Sequence, residues 1–209
     1  MTDRFGHHNF TVICNLLACR DEVLEGIINK YGYPPVWKRE PDFTTLIHII
    51  LEQQVSLASA RAALNKLQEM TGGVTPEKLL ALSDEQLKAC YFSRQKIVYA
   101  RCLATAVLNG DLNLESFETM TDEEIRQQLK KIKGIGDWTA DVFLMMALNR
   151  SNLFPVGDIA LVNSVRHEMT EPHLSKETIL SITSKWQPYR TIAAFLFWHA
   201  YIKRKGMVV

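Results

Sequence analysis

Apolar positions along this chain recur with the 3.6-residue spacing of helices, and no convincing run has the period of two that a half-buried strand requires. Between residues 9 and 30, Phe10, Val12, Ile13, Leu16, Leu17, Val23, Leu24, Ile27 and Ile28 keep helical spacing, interrupted by polar residues around Arg20 and Asp21, and Gly32-Tyr33-Pro34-Pro35 predicts the stop. An apolar helix from Phe43 to Leu51 runs into Gln53-Gln54, and a second follows Ser56 with Leu57, Ala60, Leu64 and Leu67 on one face. Thr75-Pro76 predicts a helix with proline at its first position, and Ser83-Asp84-Glu85-Gln86 is a capping box for the next. Ser93 is placed to cap a helix carrying Arg94, Lys96, Val98, Leu103 and Val107, which Gly110 ends. Thr121-Asp122-Glu123-Glu124 is another capping box, followed by an apolar stripe of Ile125, Leu129 and Ile132. Residues Trp138 to Asn149 are apolar nearly all round, which predicts a centrally buried helix. Pro172 and Ser175 separate two later helices, and Ile179 to Tyr201 completes the pattern with one break at Pro188. The pattern contains no internal repeat, low-complexity tract or flexible linker, and the expected fold class is all-α.

The stretch from Leu129 to Asp158 stands apart. It reads as a helix, a break at Gly134-Ile135-Gly136, a new helix from Asp137 and a short loop that delivers one carboxylate. Two glycines flanking an apolar residue allow a tight turn with positive φ, bury Ile135 and bare the backbone amides. The start of the second helix adds unpaired N–H donors and partial positive charge, so the hairpin reads as a cradle for a phosphodiester. The glycines alone are equally those of an ordinary αα-hairpin with a glycine C-cap.

Composition narrows the picture only a little. With 209 residues and 47% hydrophobic content the chain can bury one sizeable core or two small ones. A net charge of +1 means that any electrostatic footprint for nucleic acid must be local. Lys130, Lys131 and Lys133 lead into the hairpin, Arg94 and Lys96 open another helix, and Lys203-Arg204-Lys205 forms a basic end; each is also what a solvated helix face looks like. Cys14, Cys19, Cys90 and Cys102 form no CxxC pair and read as reduced, mostly packed thiols. The sequence shows no secretory h-region and no long apolar run, so a cytoplasmic protein that does not enter the membrane is expected, associated with the nucleoid if the source is bacterial.

Gly134-Ile135-Gly136-Asp137-Trp138-Thr139-Ala140, followed some twenty residues later by Phe154-Pro155-Val156-Gly157-Asp158, resembles the helix-hairpin-helix plus Gly/Pro-Asp signature of a superfamily of DNA glycosylases. Ile50-Leu51-Glu52-Gln53-Gln54-Val55-Ser56 and Trp186-Gln187-Pro188-Tyr189-Arg190-Thr191 through Trp198 are similar to the 3-methyladenine DNA glycosylase II branch in particular. The resemblance covers about residues 43 to 200. It implies two helical lobes with a DNA-binding cleft between them: residues 1–44 joining the second lobe, 45–150 forming a helical barrel that contains the hairpin, and 151–209 completing the second lobe. With only about forty residues ahead of the first motif, the N-terminal β-domain of some 3-methyladenine glycosylases is expected to be missing.

The resemblance implies site residues as follows. Asp158 is the catalytic carboxylate, stabilising an oxocarbenium-like sugar and orienting water, although Gly157-Asp158-Ile159 also makes it a favoured helix N-cap. Trp138 and Trp198 line the pocket for an extruded base, where an electron-rich ring favours the positive charge of an alkylated purine; burial in a core is the alternative for both. Val142 stands where some relatives carry an aromatic residue. Lys133, Gly134, Ile135, Gly136 and Thr139 form the DNA-binding hairpin. Gln53 and Gln54 are candidates to fill the gap left by the extruded base, against the alternative that they hydrogen-bond a turn backbone. Bifunctional relatives have a lysine where this chain has Trp138, so a monofunctional enzyme without strand-cleaving lyase activity is expected. No cysteine follows Cys102, so the four-cysteine iron–sulfur cluster of relatives similar to endonuclease III is not expected here. The expected cofactor set is therefore empty, save for a monovalent cation, Na+ or K+, on the hairpin backbone at Lys131, Gly134 and Gly136. The expected partner is double-stranded DNA containing a damaged base, bound by a monomer.

Overall fold

The computed structural model describes residues 4–207, which form twelve α-helices and two short 3-10 helices with no β-strand among the described residues. The chain divides into two compact units, one of residues 39–143 and the other of residues 1–38 with 144–209.

The continuous unit starts with α3 (Phe43–Glu52), after α1 (Phe10–Ala18) and α2 (Glu22–Tyr31) of the other unit. It continues through α4 (Leu57–Thr71), α5 (Pro76–Ala81), α6 (Asp84–Ala89), α7 (Arg94–Leu108), a 3-10 turn at Glu115–Glu118, α8 (Asp122–Lys130) and the first part of α9 (Asp137–Met146). Local signals fix these starts. Asp42, Ser56, Thr75, Ser83, Ser93 and Thr121 each accept a hydrogen bond from a backbone N–H in the first turn they precede, and Ser83–Gln86 and Thr121–Glu124 close reciprocal capping boxes. Side chains of Leu46, Ile47 and Ile50 from α3, Leu64 and Leu67 from α4, Ile97 and Leu103 from α7 and Ile125 and Leu129 from α8 are buried, and Phe117 meets Phe143 edge-on at 6.1 Å between ring centres.

The discontinuous unit is arranged around α12 (Arg190–Lys205), in which every residue from Thr191 to Ala200 is buried. It packs with α1, α2, α10 (Ile159–Glu168) and the 3-10 turn Ser184–Trp186 that follows α11 (Lys176–Thr183). Phe195 contacts Phe5 at 5.6 Å and Trp37 at 5.2 Å, while Trp186 lies between Phe154 and Phe197 at 5.6 and 5.4 Å. Asp21 serves two elements here: it caps α2 and accepts from the Trp186 indole at 2.7 Å.

Two ends differ from the sequence pattern. The helix expected to reach Asn149 stops at Met146, because Asn149 takes a left-handed conformation (φ 54°) and the Arg150 N–H returns to the Leu144 carbonyl at 3.0 Å. The last helix runs past Tyr201 to Lys205, where Gly206 (φ 61°) ends it.

Candidate active site and nucleic-acid interface

In the continuous unit, α8 and α9 form the hairpin. The Ile135 N–H closes the turn onto the Ile132 carbonyl at 3.0 Å, Ile135 is buried, and Lys131, Lys133 and Gly136 face solvent. The two glycines differ. Gly134 alone has positive φ, 97°, and a Cβ built on it would lie 2.1 Å from Cγ of Tyr99, whose ring lies directly against it from α7. Gly136 is not in the left-handed region and a Cβ there would meet nothing within 4 Å. The expectation that both glycines serve a positive-φ turn is thus corrected: Gly134 serves the turn, and Gly136 leaves an open approach beside the first turn of α9. Lower in the hairpin Arg126 and Asp141 pair at 2.6 Å.

The paired glutamines part company. Gln53 donates its side-chain amide to the Gly134 carbonyl at 2.9 Å and to the Thr139 hydroxyl at 3.0 Å, tying the end of α3 to the hairpin. Thr139, 1% exposed, faces inward, where its hydroxyl accepts from Gln53. Gln54 stands next in the chain with φ 58° and is exposed. The turn that carries it is fixed from behind. Arg39 grips Glu52 with two bonds of 2.9 and 2.6 Å, and Lys96 donates Nζ to the Leu51 carbonyl at 2.6 Å, capping the end of α3. Lys96 is thereby engaged within the protein, contrary to the sequence reading that set it among exposed cations; burial lowers its pKa. His48, also buried beside Glu52, is pushed down to about 4 chiefly by its burial.

In the other unit, Asp158 caps α10 and accepts at Oδ1 from the Leu161 N–H at 2.7 Å and from the Trp198 indole at 3.2 Å. Trp198 is 9% exposed, its ring leans on Phe195 at 5.9 Å and its N–H meets Asp158, the contacts of a group that positions a carboxylate. The loop leading to Asp158 is clamped by the start of α12. Thr191 Oγ1 donates to the Arg150 carbonyl at 2.7 Å and accepts from the Leu153 N–H at 3.1 Å, while its N–H donates to the Ser151 carbonyl at 2.9 Å. Arg190 adds bonds of 2.8 Å each to the Asn152 side chain and carbonyl. A carboxylate with two fixed donors and an anchored loop is suited to stabilising positive charge at a set point.

Trp138 lies half-buried in the first turn of α9. For the cation expected on the hairpin, the Gly136 carbonyl accepts from the Ala140 N–H at 3.0 Å and the Gly134 carbonyl from Gln53, and each keeps a second lone pair, which fits the oxygen-donor chemistry of Na+ or K+. No cluster of three or more His, Cys, Asp or Glu side chains among the described residues could hold a metal ion. No helix among them is long and apolar enough to cross a membrane.

Gln53 takes the alternative role read from the sequence, bonding a turn backbone at Gly134, whereas sequence reasoning missed the Tyr99–Gly134 contact and the Arg190–Thr191 clamp. Only the last had a signal, since Arg190-Thr191 lies in a segment that resembled the family.

Residues 47–188 match the family model described as HhH-GPD superfamily base excision DNA repair protein. The Bacillus subtilis protein YfjP is 30% identical over 186 residues, 85% of this chain, which spans 65% of that relative's length. DNA-3-methyladenine glycosylase 1 of Schizosaccharomyces pombe is 31% identical over 166 residues, covering 77% of this chain and 72% of its own. The structure of the S. pombe 3-methyladenine DNA glycosylase Mag1 in complex with abasic DNA superimposes with a TM-score of 0.82 at 28% identity, over 92% of this chain and 96% of that one. An 8-oxoguanine glycosylase/lyase from Clostridium acetobutylicum shares the fold, with a TM-score of 0.80 at 20% identity over 95% of this chain and 71% of its own.

Proposed function

The chain belongs to the HhH-GPD superfamily of base excision DNA repair proteins, and we propose that it is a monofunctional DNA glycosylase that extrudes alkylated purines of the 3-methyladenine and 7-methylguanine type from duplex DNA and hydrolyses their N-glycosidic bond. The observation that carries this reading is the Asp158 carboxylate, held by the Leu161 N–H and the Trp198 indole at the end of a clamped loop.

Departure of the base leaves positive charge on C1′ and the ring oxygen of the sugar. Asp158 stabilises that charge as it develops and orients the water that attacks C1′; the water gives its proton to solvent or to the carboxylate, and the base leaves with the bonding electrons. An alkylated purine already carries positive charge and leaves as a neutral base, so no strong general acid is needed. Trp138 supplies an aromatic wall, and a ring face favours a cationic base by roughly 0.5–2 kcal/mol. The hairpin, Lys133 to Gly136, takes a phosphate of the bound strand on backbone amides. A Na+ or K+ held by the carbonyls of Lys131, Gly134 and Gly136 would add positive charge beside that phosphate. Gln54, exposed while Gln53 is engaged, enters the gap left by the base. The protein acts as a monomer in the cytoplasm.

A glycosylase/lyase shares this fold, so the absence of lyase activity rests on chemistry: an indole at position 138 cannot form the imine through which a lysine cuts the strand. The test is incubation with methylated duplex DNA. Free 3-methyladenine and 7-methylguanine are expected, with strand breaks only after alkali or an abasic-site endonuclease. Release of neither base would overturn the substrate, and nicking in step with release would overturn the monofunctional reading.

A further inference from the structure

The lysines that lead into the hairpin are not alike. Lys131 and Lys133 face solvent, and neither is in an ion pair among the described residues. Lys130, the last residue of α8, reaches across the turn: its Nζ lies 2.6 Å from Oδ1 of Asp137, the first residue of α9. The pair brackets the glycine turn and stands in water, with the lysine side chain 43% and the carboxylate 65% exposed. An ion pair so open to solvent adds little to stability.

Its position gives it another consequence. Gly136, immediately before Asp137, leaves an open approach to the first turn of α9, whose amides receive the phosphate of the bound strand. A carboxylate in a first turn suits the helix itself, because it answers the partial positive charge of that end. For the same reason it works against a phosphate arriving there. Asp137 is the acidic residue of that turn, and the cation it holds, Lys130, is withdrawn from the set that can meet the strand.

We propose that Asp137 limits how tightly the hairpin holds DNA, by repelling the phosphate at α9 and by keeping Lys130 from it. This rests on the reading of the chain as a DNA glycosylase whose hairpin takes a phosphate. Charges a few ångströms apart at a wet surface change affinity by about three- to tenfold. The effect is common to damaged and undamaged duplex, since a backbone phosphate carries no information about the base. A looser hold also shortens the stay on the abasic product, because affinity differences at one interface appear chiefly in the dissociation rate.

The test compares wild type, Asp137→Asn, Lys130→Met and the double variant for melting temperature and for binding to undamaged duplex and to a duplex with a tetrahydrofuran abasic-site analogue, over a range of salt. Asp137→Asn is expected to bind both duplexes about three- to tenfold more tightly, with log K falling more steeply against log salt by about one as Lys130 takes up a phosphate. Its melting temperature should equal that of wild type or lie slightly below it, since α9 loses a favourable charge. A role confined to stability would not raise affinity. Lys130→Met, which leaves the carboxylate uncompensated, should bind both duplexes more weakly, and the double variant should return to the wild-type salt slope. Wild-type or weaker binding by Asp137→Asn, a gain confined to one duplex, or tighter binding by Lys130→Met would overturn this inference alone, provided that wild type binds duplex and releases base. Failure of wild type to bind duplex and to release any base would overturn the glycosylase reading with it.

Discussion

The Trp198 indole N–H donates to Oδ1 of Asp158 at 3.2 Å, across forty residues of sequence and between the middle of α12 and the cap of α10. Aromatic rings at such a site can act through a face or through an edge; the contact found here is the edge. Trp198→Phe keeps a ring against Phe195 and deletes only that donor. Base release under single-turnover conditions is expected to fall about 10- to 100-fold, the value of a hydrogen bond to a charged group, with abasic-duplex affinity near wild type. Unchanged release in a folded Trp198→Phe would show that the N–H is dispensable.

The hairpin glycines should separate in experiment as they do in structure. Gly134→Ala meets Tyr99 and a disfavoured φ, and an equilibrium denaturation should show a loss of about 2–4 kcal/mol. Gly136→Ala has open space and should fold normally, yet bind damaged and undamaged duplex more weakly by a common factor, on the order of tenfold. Full affinity in Gly136→Ala, or a loss confined to damaged duplex, would remove the phosphate from that turn.

Acid stability should report on His48. Burial, opposed by Glu52 and aided by Arg39 and Arg61, pushes its imidazole from 6.5 down to about 4. Between those values the unfolded chain binds a proton that the folded chain does not, so stability is fully present above about 6.5 and falls as pH is lowered toward 4, by at most about 1.4 kcal/mol per pH unit. Melting temperatures across that window should drop less steeply for His48→Phe than for wild type. Parallel curves would mean that His48 titrates alike in both states.

What the sequence made legible was what short-range chemistry decides. Ser83 and Thr121 start their helices because a hydroxyl and a carboxylate or amide three residues on satisfy the same turn, and both partners are visible in one glance at the chain. Gly134 stood out for the same reason. Why it must be glycine did not, because Tyr99 lies thirty-five residues away in another helix and no local pattern marks a ring pressed against a turn. Gln53 and Gln54 are indistinguishable as letters. They separate only in three dimensions, where one amide reaches Gly134 and Thr139 and the other is left to solvent in a left-handed conformation. Lys96 misled for a related reason: a lysine in a first turn reads as a surface cation until the carbonyl it caps is brought beside it. Asp158 was readable as both cap and candidate catalyst, and the cap is formed.

Asp158→Asn isolates the central claim, because asparagine caps a helix as well as aspartate does and can accept from both Leu161 and Trp198. The measurement is single-turnover release of 3-methyladenine from methylated duplex by wild type and Asp158→Asn side by side, with abasic-duplex affinity determined on the same preparations. A loss of rate on the order of 10²–10³ at unchanged affinity is the predicted result, since the lost charge acts only as the sugar becomes cationic. Release by Asp158→Asn within a few-fold of wild type would contradict the account.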